Sequence, residues 1–217
     1  MTKVTDEGIG AGTLNTQRML ETLDQANTIP EVTKLRKIGL LSNETFGGSG
    51  YIDLGEINKH NREMSEKIAD FKKKANEIQS SEILPEERPG LKIHLCSLVA
   101  PDSLPEEWMP VYIHSKLMIV NDVFTTHGSA NINTRSMQVD SEMNIAHEWA
   151  GVTRDLRRRL WNLHTNGKGG LDDPAKAFEE WGYLLDRNEA HQDSKKEQPE
   201  ASLIKFFYNK ATLSDLD

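Results

Sequence analysis

The spacing of apolar positions divides the chain into a helical first part and a mixed second part. Across residues 56–80, apolar side chains recur at intervals of seven, four, three, four and three, a stripe typical of a long amphipathic helix. A run with two prolines that ends at Gly90 then interrupts the pattern. We therefore predict a helical connecting region at residues 1–90, which contains the long helix, and a second domain at residues 91–217.

The strongest strand signal of the second domain runs through residues 113–120, where successive side chains are predicted to point to opposite faces of a strand. A strand there projects His114 and Lys116 onto one face, because side chains two positions apart lie on the same side. The next strand candidate, at 123–127, is predicted to pair with it as a hairpin around residues 121–122. The hairpin therefore places a base and a cation at one site.

The rest of the second domain alternates further strands and helices. The pattern predicts a strand at 143–149, a helix capped by Thr153 and ending at His164, a helix opened by Asp173 and Pro174, a mobile charged stretch at 189–202 and a terminal strand at 203–208. We interpret four arginines as the solvated face of the first of these helices, with lipid head groups as the alternative contact: Arg154, Arg157, Arg158 and Arg159. The combination predicts an α/β fold class.

Composition narrows the classes of partner. The 217 residues carry a formal net charge of -8, which disfavours broad affinity for nucleic acid. No apolar run approaches the roughly 18 residues of a membrane span, and the N-terminal residues lack the apolar core of a secretory signal. Cys96 is the single cysteine and lies in an apolar run, so we predict a buried small hydrophobe and no disulfide.

Five polar side chains in and after the hairpin suit phosphodiester cleavage. That reaction needs a nucleophile or base, cations or dipoles for the phosphoryl oxygens, and an acid for the leaving group. His114 is the candidate acid, base or nucleophile, and Lys116 is a cationic contact for the oxygens. Ser129 and Asn131 offer neutral donors from the next turn, and Glu142 is a carboxylate suited to hold the imidazole in one tautomer.

The joint spacing of these residues resembles the C-terminal signature of the phospholipase D superfamily, HxKxxxxD followed by GSxNxxxRS. The matching positions are His114, Lys116, Gly128, Ser129, Asn131, Arg135 and Ser136. The resemblance implies one half of a phospholipase D-like α-β-α sandwich with a mixed central sheet. It also implies that Glu142 orients the motif histidine, and that the glycine, arginine and second serine support the motif structurally.

The sequence departs from the family pattern in two ways. The motif aspartate is replaced by Asn121, which keeps one acceptor oxygen for structural support but loses the charge, and Asp122 is expected to point to the opposite face. The family uses two facing HxK motifs, of which one histidine forms a phosphohistidine and the other acts as acid and base. Here His60 and His94 are not followed by the motif lysine, so His114 stands in the only HxK.

Three functional interpretations follow. The chain is half of a two-motif phospholipase D that hydrolyses the head-group phosphodiester of glycerophospholipids, complete only with a second motif. Alternatively, it is a homodimeric single-motif phosphodiesterase or nuclease, or a noncatalytic interaction module that keeps the fold. No metal site and no cofactor are indicated, because the seven histidines do not show ligand spacing.

The run most resembles the eukaryote-like phospholipases, which bacteria also use as type VI secretion lipase effectors and toxins. This resemblance implies a phospholipid substrate, transient contact with a membrane surface, and a second motif half or a homodimer partner. For an effector it also implies an immunity protein, and it does not favour nucleic acid. The implied location is the bacterial cytoplasm, or secretion without a classical signal peptide.

Overall fold

The computed structural model describes residues 14–46, 57–86 and 88–209 of the chain. These fall into two compact units, one formed by residues 90–206 and the other by the described residues up to 89 together with 207–209. Residue 56, the predicted start of the long helix, lies outside the described residues. Within the described ranges, every helix is too short or too polar to cross a bilayer.

The unit that contains the described residues up to 89, here the helical unit, has helices as its only secondary structure within those described residues. It contains α1 (Leu14–Thr22), a 3₁₀ turn (Ala26–Thr28), α2 (Pro30–Phe46) and α3 (Ile57–Ser80). α3 covers the segment whose apolar stripe predicts a long helix. It packs along α2, where Phe71 meets Phe46 edge to face with ring centroids 5.3 Å apart. The fully buried apolar side chains of this unit include Ile29 and Val32.

The unit formed by residues 90–206, here the mixed unit, combines strands and helices. Its elements are β1 (Cys96–Leu98), β2 (Lys116–Val120), β3 (Phe124–Gly128), α4 (Thr134–Gln138), β4 (Asn144–His147), α5 (Ala150–His164), α6 (Pro174–Ser194) and β5 (Leu203–Lys205). The strands predicted at 143–149 and 203–208 are present as the shorter β4 and β5.

The strands of the mixed unit form two small sheets. β1 pairs with β5, and β3 lies between β2 and β4 in the second sheet. The predicted α/β class is confirmed, but both described sheets are antiparallel rather than mixed. Connection length explains part of this difference. Only three residues, 121–123, lie between β2 and β3 in the hairpin, whereas parallel neighbours need a crossover of a dozen or more residues.

The core of the mixed unit lies between α6 and the sheet of β1 and β5. Its buried cluster consists of Cys96, Leu98, Leu184, Leu185, Ala201 and Leu203. Burial raises the pKa of the Cys96 thiol to about 12, so the thiol stays neutral. The prediction that Cys96 is a buried small hydrophobe is confirmed.

α6 begins at a polar cap and extends further along the chain than the sequence pattern predicts. Asp173 caps the helix by accepting hydrogen bonds from two backbone N–H groups of the first turn, at 2.9 and 3.2 Å, and Pro174 takes the first helical position, as predicted. The prediction that residues 189–202 are mobile is wrong. The helix continues to Ser194, and the loop after it is hydrogen-bonded to the buried side chain of Asn188.

The start of α5 also differs from its prediction. The helix begins at Ala150, so Thr153 lies inside it and is not its cap. Thr153 is fully buried, and its hydroxyl lies 2.8 Å from the hydroxyl of Thr125 on β3. A residue type that favours helix caps therefore serves here to join α5 to the sheet, because a buried partner is available for its hydroxyl.

Candidate active site

β2 and β3 form a tight hairpin, as predicted, and its connection sets the geometry of the site. Asn121 and Asp122 join the strands with φ angles of 52° and 56°, and a backbone hydrogen bond of 3.0 Å between their flanking residues closes the turn. Positive φ at both central residues is the geometry of a type I′ turn, which Asn and Asp tolerate. The register pairs Lys116 with Gly128. We call the end of the hairpin where Lys116 pairs with Gly128 the open end, and the end formed by Asn121 and Asp122 the turn end.

His114 and Lys116 lie together at the open end, although only the lysine belongs to the strand. The Nζ atom of Lys116 lies 3.1 Å from His114 Nε2 and donates to the His114 carbonyl at 2.9 Å. The expectation that His114 lies on the strand is wrong, because β3 ends at Gly128 and offers no partner beyond Lys116. His114 is exposed and lies beside the Tyr112 ring, with ring centroids 5.9 Å apart.

Glu142 reaches the same end of the hairpin from the segment before β4. Hydrogen bonds from the Ser129 and Ser136 hydroxyls lower the pKa of its carboxyl, and the charges of Lys116 and Arg135 lower it further. The carboxylate is therefore held ionised beside the motif. The role of Glu142 in orienting the motif histidine stays a prediction.

The turn after β3 is fixed against the residues that precede and begin β4. The N–H of Ser129 donates to the Met143 carbonyl at 3.1 Å, and the Ser129 hydroxyl accepts from the Met143 N–H at 3.0 Å. The side-chain oxygen of Asn144 accepts from the Ala130 N–H at 3.1 Å. A Cβ atom at Gly128 would overlap the Met143 carbonyl and the Asn144 side chain. Glycine therefore permits the close approach that places Ser129.

The other motif residues follow on α4 and just before it. Asn131 is exposed on the turn. Asn133 caps α4 by accepting from the Ser136 N–H at 2.8 Å, and Ser136 is buried. Arg135 donates to Asp140 at 3.0 Å. The sequence reasoning missed Asn133, although an Asn three residues before a helical N–H is a common capping signal.

A buried arginine of α5 contacts the turn end of the hairpin. Arg157 donates two hydrogen bonds to the Asp122 carboxylate, at 2.7 and 2.6 Å, and its side chain is 5% exposed. The interpretation of Arg157 as part of a solvated face is therefore wrong. The expected orientation of Asp122 was also inferred wrongly, because Asp122 lies in the turn, where strand alternation does not apply. Arg157 lowers the pKa of the Asp122 carboxyl chiefly through these hydrogen bonds.

The arrangement at the open end suits an anionic ligand that must exchange a proton. It presents an ammonium group beside an imidazole, a hydroxyl fixed on a turn and an ionised carboxylate. Cationic and hydroxyl donors stabilise phosphoryl oxygens, and an imidazole transfers protons near neutral pH. Among the described residues, no group of three His, Cys, Asp or Glu side chains is placed to hold a metal ion.

Comparison with known families agrees with this geometry. The family model described as cardiolipin synthase, PLD-like domain, matches residues 57–164, which include α3, the hairpin and α5. The chain belongs to the phospholipase D superfamily. The phospholipase D-like match includes every residue of the candidate site.

Curated phospholipases D match shorter stretches of the chain. Phospholipase D alpha 4 of Arabidopsis thaliana is 46% identical over 70 residues, which are 29% of this chain and 9% of that protein. Phospholipase D delta of Arabidopsis thaliana is 35% identical over 103 residues, 41% of this chain and 11% of the relative. Phospholipase D alpha 1 of Spuriopimpinella brachycarpa is 39% identical over 75 residues, 29% of this chain and 9% of the relative. The chain thus spans about a tenth of the length of these relatives, and no solved structure matches it.

Proposed function

We propose that the chain supplies one half-site of a phospholipase D that hydrolyses the head-group phosphodiester of glycerophospholipids. The observation that carries the proposal is the placement of the Lys116 ammonium 3.1 Å from His114 Nε2, at the end of the hairpin that also holds Ser129 and Glu142. The comparisons support phosphodiesterase chemistry for the superfamily.

In this proposal His114 is the acid and base of a two-step reaction. A histidine of the opposite motif attacks phosphorus, the bond to the head-group oxygen breaks, and protonated His114 gives its proton to that oxygen. Water then attacks the phosphohistidine, the phosphorus–nitrogen bond breaks, and neutral His114 takes a proton from the water. Lys116 and Asn131 stabilise the phosphoryl oxygens through both steps, and the Ser129 hydroxyl joins them by turning its single proton from Glu142 to the substrate.

The surroundings of the site support a phospholipid rather than a nucleic acid as substrate. Exposed apolar side chains occur in the same segments as the site residues, with between 61% and 78% of their surface accessible: Tyr112, Ile132, Met137, Val139 and Met143. Such side chains suit acyl chains and a membrane interface, which we propose as a transient partner. The formal net charge of -8 opposes attraction of a polyanion.

The single HxK of the sequence motivates the half-site. We propose that the second motif comes from another chain segment and that the isolated monomer is slow. A second copy of this chain is the alternative source, with the two His114 side chains facing each other across a twofold axis. The exposed apolar surface near the site is also where a second half would pack.

The test compares His114→Ala with the matched control His127→Ala. His127 is exposed on β3 and pairs with Leu117, so it lies on the face of the hairpin opposite Lys116. We measure choline release from phosphatidylcholine vesicles and cleavage of plasmid DNA, with sedimentation to give the oligomeric state. We expect slow choline release that falls by about 10²- to 10⁴-fold in His114→Ala and stays near wild type in His127→Ala.

Other outcomes decide among the interpretations. Full-rate hydrolysis by verified monomer contradicts the half-site, and a rate that follows the dimer fraction favours the homodimer. Preferential cleavage of DNA favours a nuclease. If His114→Ala equals wild type and inorganic phosphate shifts no NMR signal of Lys116 or Ser129, the chain is a noncatalytic module.

A further inference from the structure

The hairpin that carries Lys116 is attached to α5 near its turn end. Arg157 bonds Asp122, the Thr153 hydroxyl donates to the Val123 carbonyl at 3.2 Å, and the same hydroxyl lies 2.8 Å from that of Thr125. Lys116 lies four residues before the turn-end residue of β2, a distance of about 13 Å along the strand. The anchors and the chemistry thus occupy opposite ends of one paired element.

Arg157 is suited to hold an element in a single orientation. Besides its two bonds to Asp122, its guanidinium donates to the Leu171 carbonyl at 2.8 Å and to Asp172 at 2.9 Å. It also lies over the Trp161 ring, 4.8 Å from the centroid. A planar guanidinium that is bonded on several sides and packed on a ring has little freedom to turn. Rotation of the hairpin about its turn would break the fork that grips Asp122.

We propose that Arg157 and Asp122 are positioning residues of the half-site, which act together to fix the direction in which the hairpin carries Lys116 and Ser129. In this role Asp122 directly follows Asn121, which occupies the aspartate position of the family motif. The consequence for catalysis rests on the proposed function, whereas the control of hairpin orientation does not.

The backbone at the turn explains why the ion pair matters there. Asp122 has a φ of 56°, in the left-handed region that side-chain-bearing residues rarely adopt. The fork from Arg157 stabilises this conformation by satisfying both carboxylate oxygens. Without it, the turn loses its charged anchor and retains the hydroxyl contacts of Thr153.

The experiment follows the open end by NMR in the full chain while the turn end is changed. The variants are Asp122→Ala, Arg157→Ala and the double variant, with Arg158→Ala as the matched control. Arg158 is the next residue of α5 and pairs with the same Asp172, but it has no hydrogen bond to Asp122 among the described residues. The readouts are amide exchange in β2 and β3 and the titration of the Glu142 carboxyl, whose pKa Ser129, Ser136, Lys116 and Arg135 lower.

We expect each single variant to reduce amide protection in β2 and β3 at least about tenfold. We also expect the pKa of Glu142 to rise toward its ordinary value, since Ser129 and Lys116 are no longer held beside it. The double variant should add little to either single one, because the two residues act as a pair. Arg158→Ala should leave both readouts near wild type.

Two results overturn the proposal. One is an unchanged Glu142 titration in folded Asp122→Ala and Arg157→Ala, which leaves the pair a purely stabilising contact. The other is an equal change in Arg158→Ala. If Arg157→Ala does not fold, Asp122→Asn, which keeps the side-chain size, must shift Glu142 in the same direction, and no shift overturns the proposal. Neither readout needs turnover, so failure of the proposed function is seen separately in the vesicle assay.

Discussion

At the scale of single residues, the close approach of backbone segments at Gly128 positions the side chains of the candidate site. Gly128 pairs with Lys116 on one side and with Asn144 on the other, so it is the central point of the open end. Its neighbours leave no room for a side chain, since a Cβ atom would overlap the Met143 carbonyl. The motif glycine is therefore needed for its size, and Ser129 depends on it for position.

Gly128→Ala tests this dependence. Forcing a methyl group into the contact must shift β4 away from β3, and we expect a loss of roughly 1–3 kcal/mol in the free energy of unfolding. The Ser129–Met143 hydrogen bonds should weaken at the same time, seen as faster amide exchange at both residues. Gly151→Ala is the control, because nothing lies within 4 Å of a Cβ built there, and it should be neutral or slightly stabilising. Equal losses in the two variants would contradict the steric argument.

At the scale of elements, one buried amide joins α6 to β5. Asn188 is fully buried, and its side-chain nitrogen donates to the carbonyls of Ala201 and Leu203 at 2.9 and 2.7 Å. Its side-chain oxygen accepts from the Glu200 N–H at 2.8 Å. These three bonds hold the end of the loop that leads into β5, together with the ion pairs of Glu200 to Lys168 and Arg187.

Asn188→Ala should remove this attachment. Three backbone groups lose their partners, and leaving buried polar groups unsatisfied costs about 1–3 kcal/mol each at most sites. We expect a fall of about 3 kcal/mol in the free energy of unfolding and faster amide exchange in β5. Arg187→Ala is the matched control, because its neighbouring ion pair with Glu200 is exposed and such pairs contribute about 0–1 kcal/mol. An equal loss in the free energy of unfolding in Arg187→Ala and Asn188→Ala would contradict this role of Asn188.

At the scale of the whole molecule, each compact unit has its own buried side chains. Leu184 is fully buried in the mixed unit, and Leu20 is 2% exposed in the helical unit. Separate cores permit separate opening reactions, because cooperative unfolding follows the contacts that a region shares.

Leu184→Ala and Leu20→Ala, each the control for the other, test this separation. Truncation of a buried leucine costs about 2–5 kcal/mol. Hydrogen exchange read by mass spectrometry should show the loss of protection in residues 90–206 for Leu184→Ala and in the helical unit for Leu20→Ala. Equal loss across both units in either variant would show that they open as one.

The parts of the fold that the sequence predicted correctly depend on residues that lie close together in the chain. Alternation and the Asn-Asp dipeptide predicted the hairpin, and Asp173 with Pro174 predicted the start of α6. The predictions were wrong where a residue contacts a partner that is distant in the sequence. Thr153 looked like a cap, but its hydroxyl met Thr125 on another element, and burial of that pair decided where the side chain went.

The sequence by itself determined the family, the position of the hairpin turn and the identity of the candidate chemical groups, because spacing and backbone preference are local properties. Only the tertiary structure decided that Glu142 is bonded by two serines and that Arg157 is buried against Asp122, 35 residues away along the chain. A charged side chain on a helix has the same local pattern whether it faces water or a carboxylate. Its surroundings are set by which elements pack together, and that packing depends on the whole chain.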